Sequence, residues 1–317
     1  MAIVRIGTRQ SVLALTQARL VLDALALAGV AGELVTFTTV GDKRLDEPLH
    51  AIGGKGLFTK ELEVALADGK IDCAVHSLKD LPTESPPGLD VVAVLSREDP
   101  RDVLVVGPAI VAVGLSDLPR GARVGTSSLR RRAQLAARRP DLDVVELRGN
   151  VPTRLRKVED GKVHGAVLAA AGLHRLDARA HITAYLDAPE WLPAPGQGAI
   201  AIQIRADDAR ARGMLGALND AGTMIQVTAE RAMLGALEGG CQVPIGALTV
   251  SKGRELVLHG LIATIDGSRI LRGHEVVDPG APAAAGEALA RHLRALGAVE
   301  ILEALRSVTR VPAPQPE

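Results

Sequence analysis

Over the first two-thirds of the chain, short apolar runs rich in β-branched residues alternate with segments of helical periodicity. Ser11 is placed to cap a helix whose apolar positions recur up to Leu25, and Gly29 is placed to end it. Strands are predicted near residues 34–40 and 71–75. Because strands separated by helices favour parallel sheets with βαβ crossovers, this pattern predicts an α/β fold.

The same order of strand, loop and helix recurs in the middle of the chain. It is found in ARVGTSSLRRRAQLAARR, in LDVVELRGNVPTRLRKVEDG and in VHGAVLAAAGLHRL. A later strand, predicted at residues 199–205, is expected to return to the first sheet, because the first unit alone is short of strands. These units predict two α/β domains.

The last third of the chain has a different pattern. A helix predicted over 225–237 is followed by strands near 247–250, 255–265 and 269–277, and a long Ala- and Leu-rich helix is predicted over 283–305. This pattern predicts a small α+β domain. The length of 317 residues is consistent with two or three domains in all.

The composition excludes several classes of protein. Apolar residues make up 47% of the chain, but no run approaches the roughly 18 uninterrupted apolar residues of a membrane span. The first residues, MAIVRIGTRQ, lack the apolar core of a signal peptide, so a cytoplasmic location is expected. Lys and Arg number 37 and so do Asp and Glu, so no overall field attracts nucleic acid or a membrane.

One segment departs from this charge balance. Between residues 120 and 180, fourteen Lys or Arg residues stand against six Asp or Glu residues. GTSS at 125–128 supplies hydroxyls and backbone N–H groups at a predicted helix start, where anions bind. Arg130 and Arg131 follow directly, and Arg148 occupies the equivalent strand end of the next unit. A basic helix face can be merely solvated, but two such loops at neighbouring strand ends indicate a site for carboxylates or phosphates.

HSLKD, at residues 76–80, follows an apolar strand and places several ionisable groups together. A carboxylate there, facing a cleft rich in cations, would have a lowered pKa and stay ionised at neutral pH. His76 could be a general base, although a histidine at a strand end is more often structural. Lys55, within GGKGLF, could add charge to a cleft wall, but these glycines could equally be structural turns.

The two cysteines have different surroundings, and neither has a partner at zinc-binding spacing, so no metal site is expected. Cys73, in the apolar IDCAV, is expected to be a buried core residue. Cys241 lies in EGGCQVP, a loop in which a thiol could be exposed. From the residues alone, an inert thiol at Cys241 remains an alternative.

Nine motifs occur along the chain in one order: IGTRQSVLALTQA, GGKGLFTKELEVAL, HSLKDLP, REDPRDVL, VGTSSLRRRAQL, LRGNVPTRL, LAAAGLHRL, LPAPGQGA and TAERAMLGALEGGCQVPIGA. Their order and spacing resemble those of the hydroxymethylbilane synthases, also called porphobilinogen deaminases. The resemblance extends from about Arg5 to Leu305 and is dense up to Gly246.

The resemblance implies three domains of similar size. Two would be like periplasmic binding proteins, with mixed, mainly parallel sheets and the active site between them. The third, a small α+β domain, would carry a cofactor on a cysteine loop. The domains would comprise residues 1–96 with 195–217, residues 97–194, and residues 218–317.

The resemblance also implies an activity. It implies a transferase of tetrapyrrole and heme biosynthesis that condenses four porphobilinogen molecules head to tail, releases ammonia each time, and frees linear hydroxymethylbilane by hydrolysis. The partner would be the small-molecule substrate porphobilinogen, and no nucleic-acid or membrane partner is expected. The chain is expected to be a monomer.

The resemblance assigns roles to residues. Cys241 would hold a dipyrromethane cofactor through a thioether, and Asp80 would be the catalytic carboxylate. The other residues expected to bind the cofactor are Ser77, Lys79, Thr126, Ser127, Ser128, Arg130, Arg131 and Gly149. Those expected to bind the substrate are Arg9, Ser11, Lys55, Arg148, Arg154 and Arg175.

These residues suit the implied chemistry. Each pyrrole ring carries an acetate and a propionate, which gives the arginine excess a physical reason. Loss of ammonia from an aminomethylpyrrole leaves an azafulvene cation, which an anion at Asp80 would stabilise. Two positions depart from the family: Pro152, often glycine elsewhere, removes a backbone donor, and Arg132 extends the usual arginine pair and could simply face solvent.

The alternative function is a non-catalytic anion-binding module on the same two-lobed fold. Such a module would need the Arg and Ser loops but neither Asp80 nor Cys241. A nucleic-acid binder would also use the basic segment, but it usually adds stacking aromatic residues, and this chain has few. They are Phe37, Phe58, Tyr185 and Trp191.

Overall fold

The structure is a computed structural model that describes residues 3–39, 41, 58–237 and 243–309. The strands within these residues form two five-stranded sheets and one three-stranded sheet. Each sheet packs with its own helices around a buried apolar core. We call the resulting units the first, second and third lobes.

The first lobe is built on a mixed five-stranded sheet. Its elements are β1 (Val4–Arg9), α1 (Val12–Leu27), β2 (Gly32–Phe37), α2 (Lys60–Ala67), β3 (Cys73–Ser77), β4 (Leu89–Val94), β10 (Ile200–Arg205) and α6 (Ala209–Gly216). The strand order is β2-β1-β3-β10-β4. β1 runs parallel to β2 and β3, whereas β10 runs antiparallel to β3 and β4. The predicted return of the later strand to this sheet is confirmed.

The second lobe repeats this topology. Its elements are β5 (Asp102–Val106), β6 (Arg123–Gly125), α3 (Leu129–Arg138), β7 (Asp143–Val145), α4 (Val151–Glu159), β8 (Gly165–Ala169), α5 (Ala170–Arg175) and β9 (Ala184–Leu186). The strand order is β7-β6-β8-β5-β9, and β6 is parallel to β7 and β8, while β5 is antiparallel to β8 and β9.

The predicted fold class is confirmed, but the sheets are less parallel than expected. Among the described pairings, each five-stranded sheet has two parallel and two antiparallel ones. The antiparallel pairings involve β10 and β5, the strands that follow the passage of the chain from one lobe to the other. A strand that enters from the opposite lobe runs against the local βαβ direction, and the repeat pattern alone does not reveal this.

The third lobe is an antiparallel sheet covered by helices. Its elements are α7 (Ala221–Ala236), β11 (Ile245–Lys252), β12 (Glu255–Ala263), β13 (Ile270–Val277), α8 (Pro282–Leu293) and α9 (Val299–Thr309). The single long helix predicted over 283–305 is wrong, because residues 294–298 interrupt it. Gly297, with φ 104°, has the left-handed conformation that breaks the helix between α8 and α9.

Helix α1 shows how local sequence sets an element. The Ser11 side chain accepts from the backbone N–H of Ala14, which caps the first turn as predicted. Gly29 follows the helix with φ 73°, a conformation that favours glycine. The buried face is centred on Ala18 and Leu25, as predicted, although Val12 is 55% exposed.

Two crossings, residues 95–101 and 187–199, connect the first and second lobes. The third lobe makes contacts with both crossings. Arg97 on one crossing makes a two-pronged ion pair with Glu230 on α7, with distances of 2.7 and 2.9 Å. Glu230 also accepts from the backbone N–H of Gly196 on the other crossing, at 2.8 Å. The charges of this pair are almost completely buried.

No helix in the part of the chain that the structure describes is long and apolar enough to cross a membrane.

Candidate active site between two lobes

The predicted site residues that the structure describes lie at or after the carboxyl ends of β1 and β3 in the first lobe and of β6, β7 and β8 in the second. Ligands bind at such strand ends in α/β sheets. Groups from the two lobes interact electrostatically there, Asp80 with Arg154 and Lys79 with Arg131. The fold therefore brings residues from separate parts of the chain to one cleft.

Strand β3 leads directly into one 3-10 turn, Leu78–Asp80, which we call the 78–80 turn. Leu78 is buried, whereas Lys79 and Asp80 are half-buried. Immediately before the turn, the Ser77 hydroxyl lies 2.9 Å from the side-chain amide nitrogen of Gln17 on α1, which donates to it. The core thus fixes the turn and leaves one ammonium and one carboxylate partly exposed.

Lys79 is held beside the second crossing. Its Nζ donates to Oε1 of Gln197 at 3.2 Å. Burial lowers the pKa of Lys79 to about 8, an effect that Asp80 opposes and Arg131 reinforces. Its charge therefore changes just above neutral pH.

Asp102, at the start of β5, is fully buried and accepts hydrogen bonds from four side chains. The donors are Arg130 Nη1 at 2.6 Å, Arg131 Nη2 at 2.6 Å, Trp191 Nε1 at 2.8 Å and Gln197 Nε2 at 2.8 Å. We call these five residues the Asp102 cluster. Burial favours a raised pKa for Asp102, but the two guanidinium groups hold it far below the usual range.

The two arginines predicted to bind the cofactor, Arg130 and Arg131, also bind Asp102 inside the protein. Arg130 and Arg131 are both buried, and besides Asp102 they donate to the backbone oxygens of Leu192 and Val167. Among the described residues, the Nε of Arg131 is buried without a hydrogen-bond partner. One carboxylate cannot neutralise two guanidinium groups, so the cluster retains positive charge and an unused donor. Sequence reasoning missed Asp102 because its partners lie far along the chain.

The GTSS loop after β6 uses its hydroxyls to hold its own shape. Thr126 Oγ1 accepts from the N–H of Ser128 at 3.2 Å, and Ser127 Oγ donates to the Leu147 oxygen at 2.6 Å. Ser128 caps α3, accepting from the N–H of Arg131 at 3.5 Å. The loop therefore fixes the start of the helix that carries the arginine pair.

The RGN loop after β7 has the same role for α4. Asn150 caps this helix, and Pro152 sits in its first turn, where the missing N–H leaves no helical hydrogen bond unmade. Gly149 has φ 113°, a conformation that favours glycine, and its carbonyl accepts from Arg154 Nε at 2.7 Å. Pro152 therefore does not disturb the helix that carries Arg154.

Arg154 lies between cations and carboxylates. Burial lowers its pKa to about 10, reinforced by Arg131 and Arg148 and opposed by Glu146 and Asp80. It therefore remains charged at neutral pH. A partly buried guanidinium group with cationic neighbours favours the binding of a carboxylate.

Arg175, predicted to bind substrate, lies against the second crossing. Its Nη2 donates to the Gly198 oxygen at 2.7 Å, and burial lowers its pKa to about 10. Gly198 has φ 90°, and a Cβ there would lie 2.2 Å from the Glu98 oxygen of the first crossing. The PGQG motif therefore lets the two crossings approach each other closely beside this arginine.

Arg9 is the last residue of β1, and Ser11 follows the strand. The Arg9 guanidinium lies 4.3 Å from the centroid of the Phe58 ring, and Ser11 is used in the cap of α1. Arg132 is exposed, as expected. Lys55, with the GGKG part of its motif, lies outside the described residues.

Two residues of the first lobe have the structural role expected of them. His76 is 6% exposed, and burial lowers its pKa to about 4, which keeps it neutral. Cys73 is completely buried, and burial raises its pKa to about 12. A buried thiol of this kind is not a nucleophile. Cys241 lies outside the described residues.

The described cleft fits an acidic pyrrole cofactor. Lys79 and Arg154 are partly exposed, Arg131 has an unused buried donor, and carboxylates are the groups that such donors bind. Within the described ranges, no three His, Cys, Asp or Glu side chains are grouped as metal ligands. The described cations are suited to recognising carboxylates, and the half-buried Asp80 lies among them.

Comparisons with known proteins identify the family of the chain. The family model described as "Porphobilinogen deaminase, dipyromethane cofactor binding domain" matches residues 4–213, and the one described as "Porphobilinogen deaminase, C-terminal domain" matches residues 224–295. Among solved structures, the methionine-binding protein MetQ has a TM-score of 0.43 and 17% identity, covering 68% of this chain and 89% of its own.

Curated relatives are similar over nearly the whole chain. The porphobilinogen deaminase of Moorella thermoacetica is 52% identical, covering 96% of this chain and 97% of its own length. That of Acidithiobacillus ferrooxidans is 50% identical over 96% and 98%, and that of Syntrophobacter fumaroxidans 47% over 95% and 97%. With both family models and these relatives in agreement, the chain belongs to the porphobilinogen deaminase family.

Proposed function

We propose that Asp80 is the catalytic carboxylate of this chain and that Cys241 holds its cofactor. The activity is that of the family: a transferase joins four porphobilinogen molecules head to tail, releases ammonia at each addition, and liberates hydroxymethylbilane by hydrolysis. The product belongs to tetrapyrrole and heme biosynthesis. The observation that carries the site assignment is the convergence of cations from both lobes around Asp80.

The cationic side chains recognise the acidic substituents of the pyrroles. Arg154 remains charged at neutral pH, and Arg131 has a donor available beyond its bonds to Asp102. Arg148 lies close enough to lower the pKa of Arg154. These groups orient a ring by its acetate and propionate, because guanidinium groups bind carboxylates in a fixed, two-pronged geometry.

Asp80 provides the opposite charge. Departure of ammonia from porphobilinogen leaves a cation, which the surrounding lysine and arginine side chains can only destabilise. A carboxylate already in place stabilises the developing charge without reorganisation. An oxygen of Asp80 can also accept a proton from a pyrrole N–H or hold the amine until it leaves. Asp80 is only half-buried, so it can reach substrate.

The dipyrromethane cofactor supplies, when bound, the pyrrole end to which the first substrate is joined. The residues that hold it are proposed as well. Besides the covalent bond to Cys241, they are Ser77, Lys79, Thr126, Ser127, Ser128, Arg130, Arg131 and Gly149. Substrate contacts are proposed for Arg9, Ser11, Lys55, Arg148, Arg154 and Arg175.

The attachment at Cys241 is supported by the properties of the other cysteine. Cys73 is completely buried in the core of the first lobe, where a substituent of two rings has no space. Its raised pKa of about 12 also removes the thiolate. Cys241 follows α7, whose Glu230 contacts both crossings.

The proposal extends to domain boundaries and partners. We propose domains at residues 1–96 with 195–217, 97–194, and 218–317, since the first division falls between β4 and β5 and the last before α7. We also propose a cytoplasmic monomer without nucleic-acid or membrane partners. Trp191 is 2% exposed, so the one tryptophan is not available for stacking on bases.

Intact mass tests the attachment and separates this function from an anion-binding module. Purified protein should carry a mass increment equal to two condensed pyrrole units. Cys241→Ala should fold but lose both the increment and the activity. Cys73→Ala is the matched control: it should keep the increment and lose about 1 kcal/mol or less of stability. An increment that persists in Cys241→Ala would contradict the assignment, and parental protein without any increment would favour the non-catalytic module.

A further inference from the structure

Arg231, on α7 of the third lobe, reaches across to the segment that contains the 78–80 turn. Its guanidinium group donates to the backbone oxygens of Leu81 at 3.1 Å and Pro82 at 2.6 Å. Longer contacts reach those of Leu78 at 3.5 Å and Thr83 at 3.3 Å. One side chain therefore engages carbonyl groups on both sides of Asp80.

These contacts provide hydrogen-bond donors for backbone carbonyl groups that have left the sheet. Beyond β3 the chain leaves the sheet, so the carbonyl groups of the following residues have no neighbouring strand to pair with. Within the turn, the N–H of Leu81 donates to the oxygen of Leu78. The planar fork of a guanidinium group can serve several carbonyl groups at once, which an ammonium group cannot do in the same geometry.

Arg231 lies on α7 beside Glu230, the residue that contacts the two crossings. Its neighbour Glu230 is bound to Arg97 and to the N–H of Gly196 on the two crossings. The same helix thus holds the crossings through Glu230 and the 78–80 turn through Arg231. It ends at Ala236, shortly before Cys241 in the sequence.

We propose that Arg231 is a positioning residue for the reaction, which holds the 78–80 turn so that the Asp80 carboxylate keeps its orientation toward substrate. This inference rests on the proposed role of Asp80. Arg231 acts through the backbone of the turn, and its loss is expected to reduce the rate of the chemical step more than the binding of porphobilinogen.

The first test compares Arg231→Gln, Arg231→Lys and a control, Arg272→Gln. Arg272 also belongs to the third lobe and donates to two backbone oxygens of the second crossing, Pro189 and Glu190, both at 2.8 Å. Samples are matched by cofactor mass and circular dichroism before kcat and KM for porphobilinogen are measured. Arg231→Gln should lower kcat by about 10- to 100-fold with KM near the parental value. Arg231→Lys should recover part of this loss, and Arg272→Gln should retain parental kcat.

The second test asks whether Arg231 acts through Asp80. Arg231→Gln is combined with Asp80→Asn, and single-turnover ammonia release is measured for both single variants and the double variant. If Arg231 positions the carboxylate, it should cause little further loss once that charge is gone.

The outcomes separate the two proposals. Parental kcat in Arg231→Gln, or equal fold losses in both backgrounds, would overturn the positioning role while leaving Asp80 catalytic. A parental rate in Asp80→Asn would overturn the proposed function and this inference together. If Arg231→Gln fails to fold, the cycle is run with Arg231→Lys, and an unchanged rate there with an intact fold counts against positioning.

Discussion

At the residue scale, two aspartates of the cleft, Asp80 and Asp102, differ in burial and therefore in what they can bind. Asp102 is fully buried and its oxygens are occupied by four side-chain donors, so it serves as a fixed counter-charge for the arginine pair. Asp80 is half-buried and close to cations. A carboxylate that still has access to solvent can meet substrate, whereas one saturated with donors cannot.

Replacing Asp80 tests its role directly. Asparagine preserves the shape of the side chain, but it replaces one acceptor oxygen with an NH2 donor and removes the charge that stabilises the transition state for ammonia departure. Turnover should fall by on the order of 10² or more, while thermal stability changes little. Glutamate keeps the charge, displaced by one methylene, and should retain more activity. Single-turnover ammonia release by cofactor-bearing samples measures this, and a parental rate in Asp80→Asn would place the catalytic carboxylate elsewhere.

Lys79 is proposed to hold the cofactor to which porphobilinogen is joined, so it should impose a pH dependence on substrate binding. Its pKa is lowered from 10.5 to about 8, so the ammonium group is lost in the folded protein as the pH rises through about 8. KM for porphobilinogen should therefore increase above this pH, and Lys79→Arg should move the increase to higher pH. A KM profile with the same midpoint in both proteins would show that another group is responsible.

The lowered pKa of Lys79 also makes the free energy of unfolding depend on pH. Between about 8 and 10.5, the unfolded chain keeps the Lys79 proton that the folded protein has lost. The contribution of this group to the free energy of unfolding therefore rises with pH across that window. Urea titrations of parent and Lys79→Met, compared over these pH values, isolate this contribution.

At the scale of elements, the second lobe contains the same strand–loop–helix motif twice. A strand ends, a short loop with a capping side chain follows, and a helix begins with arginines in its first turns. Ser128 caps one helix and Asn150 the other. Because each cap involves residues only a few positions apart, sequence alone could locate both loops.

Longer-range pairings could not be located in this way. Asp102 and Gln197 are 95 residues apart, and Arg97 and Glu230 are 133 apart. Single polar or charged residues have no period or spacing that marks a buried partner. The sequence therefore predicted the arginines but not the residues that hold them. The break at Gly297 was also missed, because one glycine in an Ala- and Leu-rich pattern is compatible with a continuous helix.

Truncation of Arg148, in the RGN loop, or of Arg154, on α4, should weaken binding of acidic pyrroles. Arg148 and Arg154 are half-buried, so each alanine variant should lose about 2 kcal/mol of substrate binding, near the lower end of the range for charged contacts. Arg156, exposed on the same helix, is the control and should bind normally when replaced by alanine. Cofactor mass is checked in each sample. Parental kinetics in both variants would contradict the assignment.

At the scale of the whole molecule, the third lobe holds the junction between the other two. Arg97 and Glu230 form a buried ion pair there, and Glu230 also accepts from the N–H groups of Gly196 and Thr249. One carboxylate thereby joins both crossings and the third sheet. The relative arrangement of the lobes depends on this contact as well as on the chain connections.

Glu230→Gln should therefore destabilise the protein strongly. It leaves the Arg97 guanidinium buried without its counter-charge, which costs about 3 to 5 kcal/mol. The exposed pair of Lys70 and Asp68 provides the control, since Asp68→Asn should cost about 1 kcal/mol or less. Urea unfolding followed by circular dichroism measures both. Equal midpoints for the two variants would show that the buried pair is not a major anchor.

The position of Trp191 has an optical consequence. It is the one tryptophan in the chain, and its indole N–H donates to Asp102 while the Arg138 guanidinium lies 5.6 Å from the ring centroid. Indole emission from this protein therefore originates wholly beside the arginine pair, in surroundings dominated by fixed charges. The chain contains its own fluorescent reporter of the cleft, and a change in emission wavelength signals a rearrangement of the Asp102 cluster without any added label.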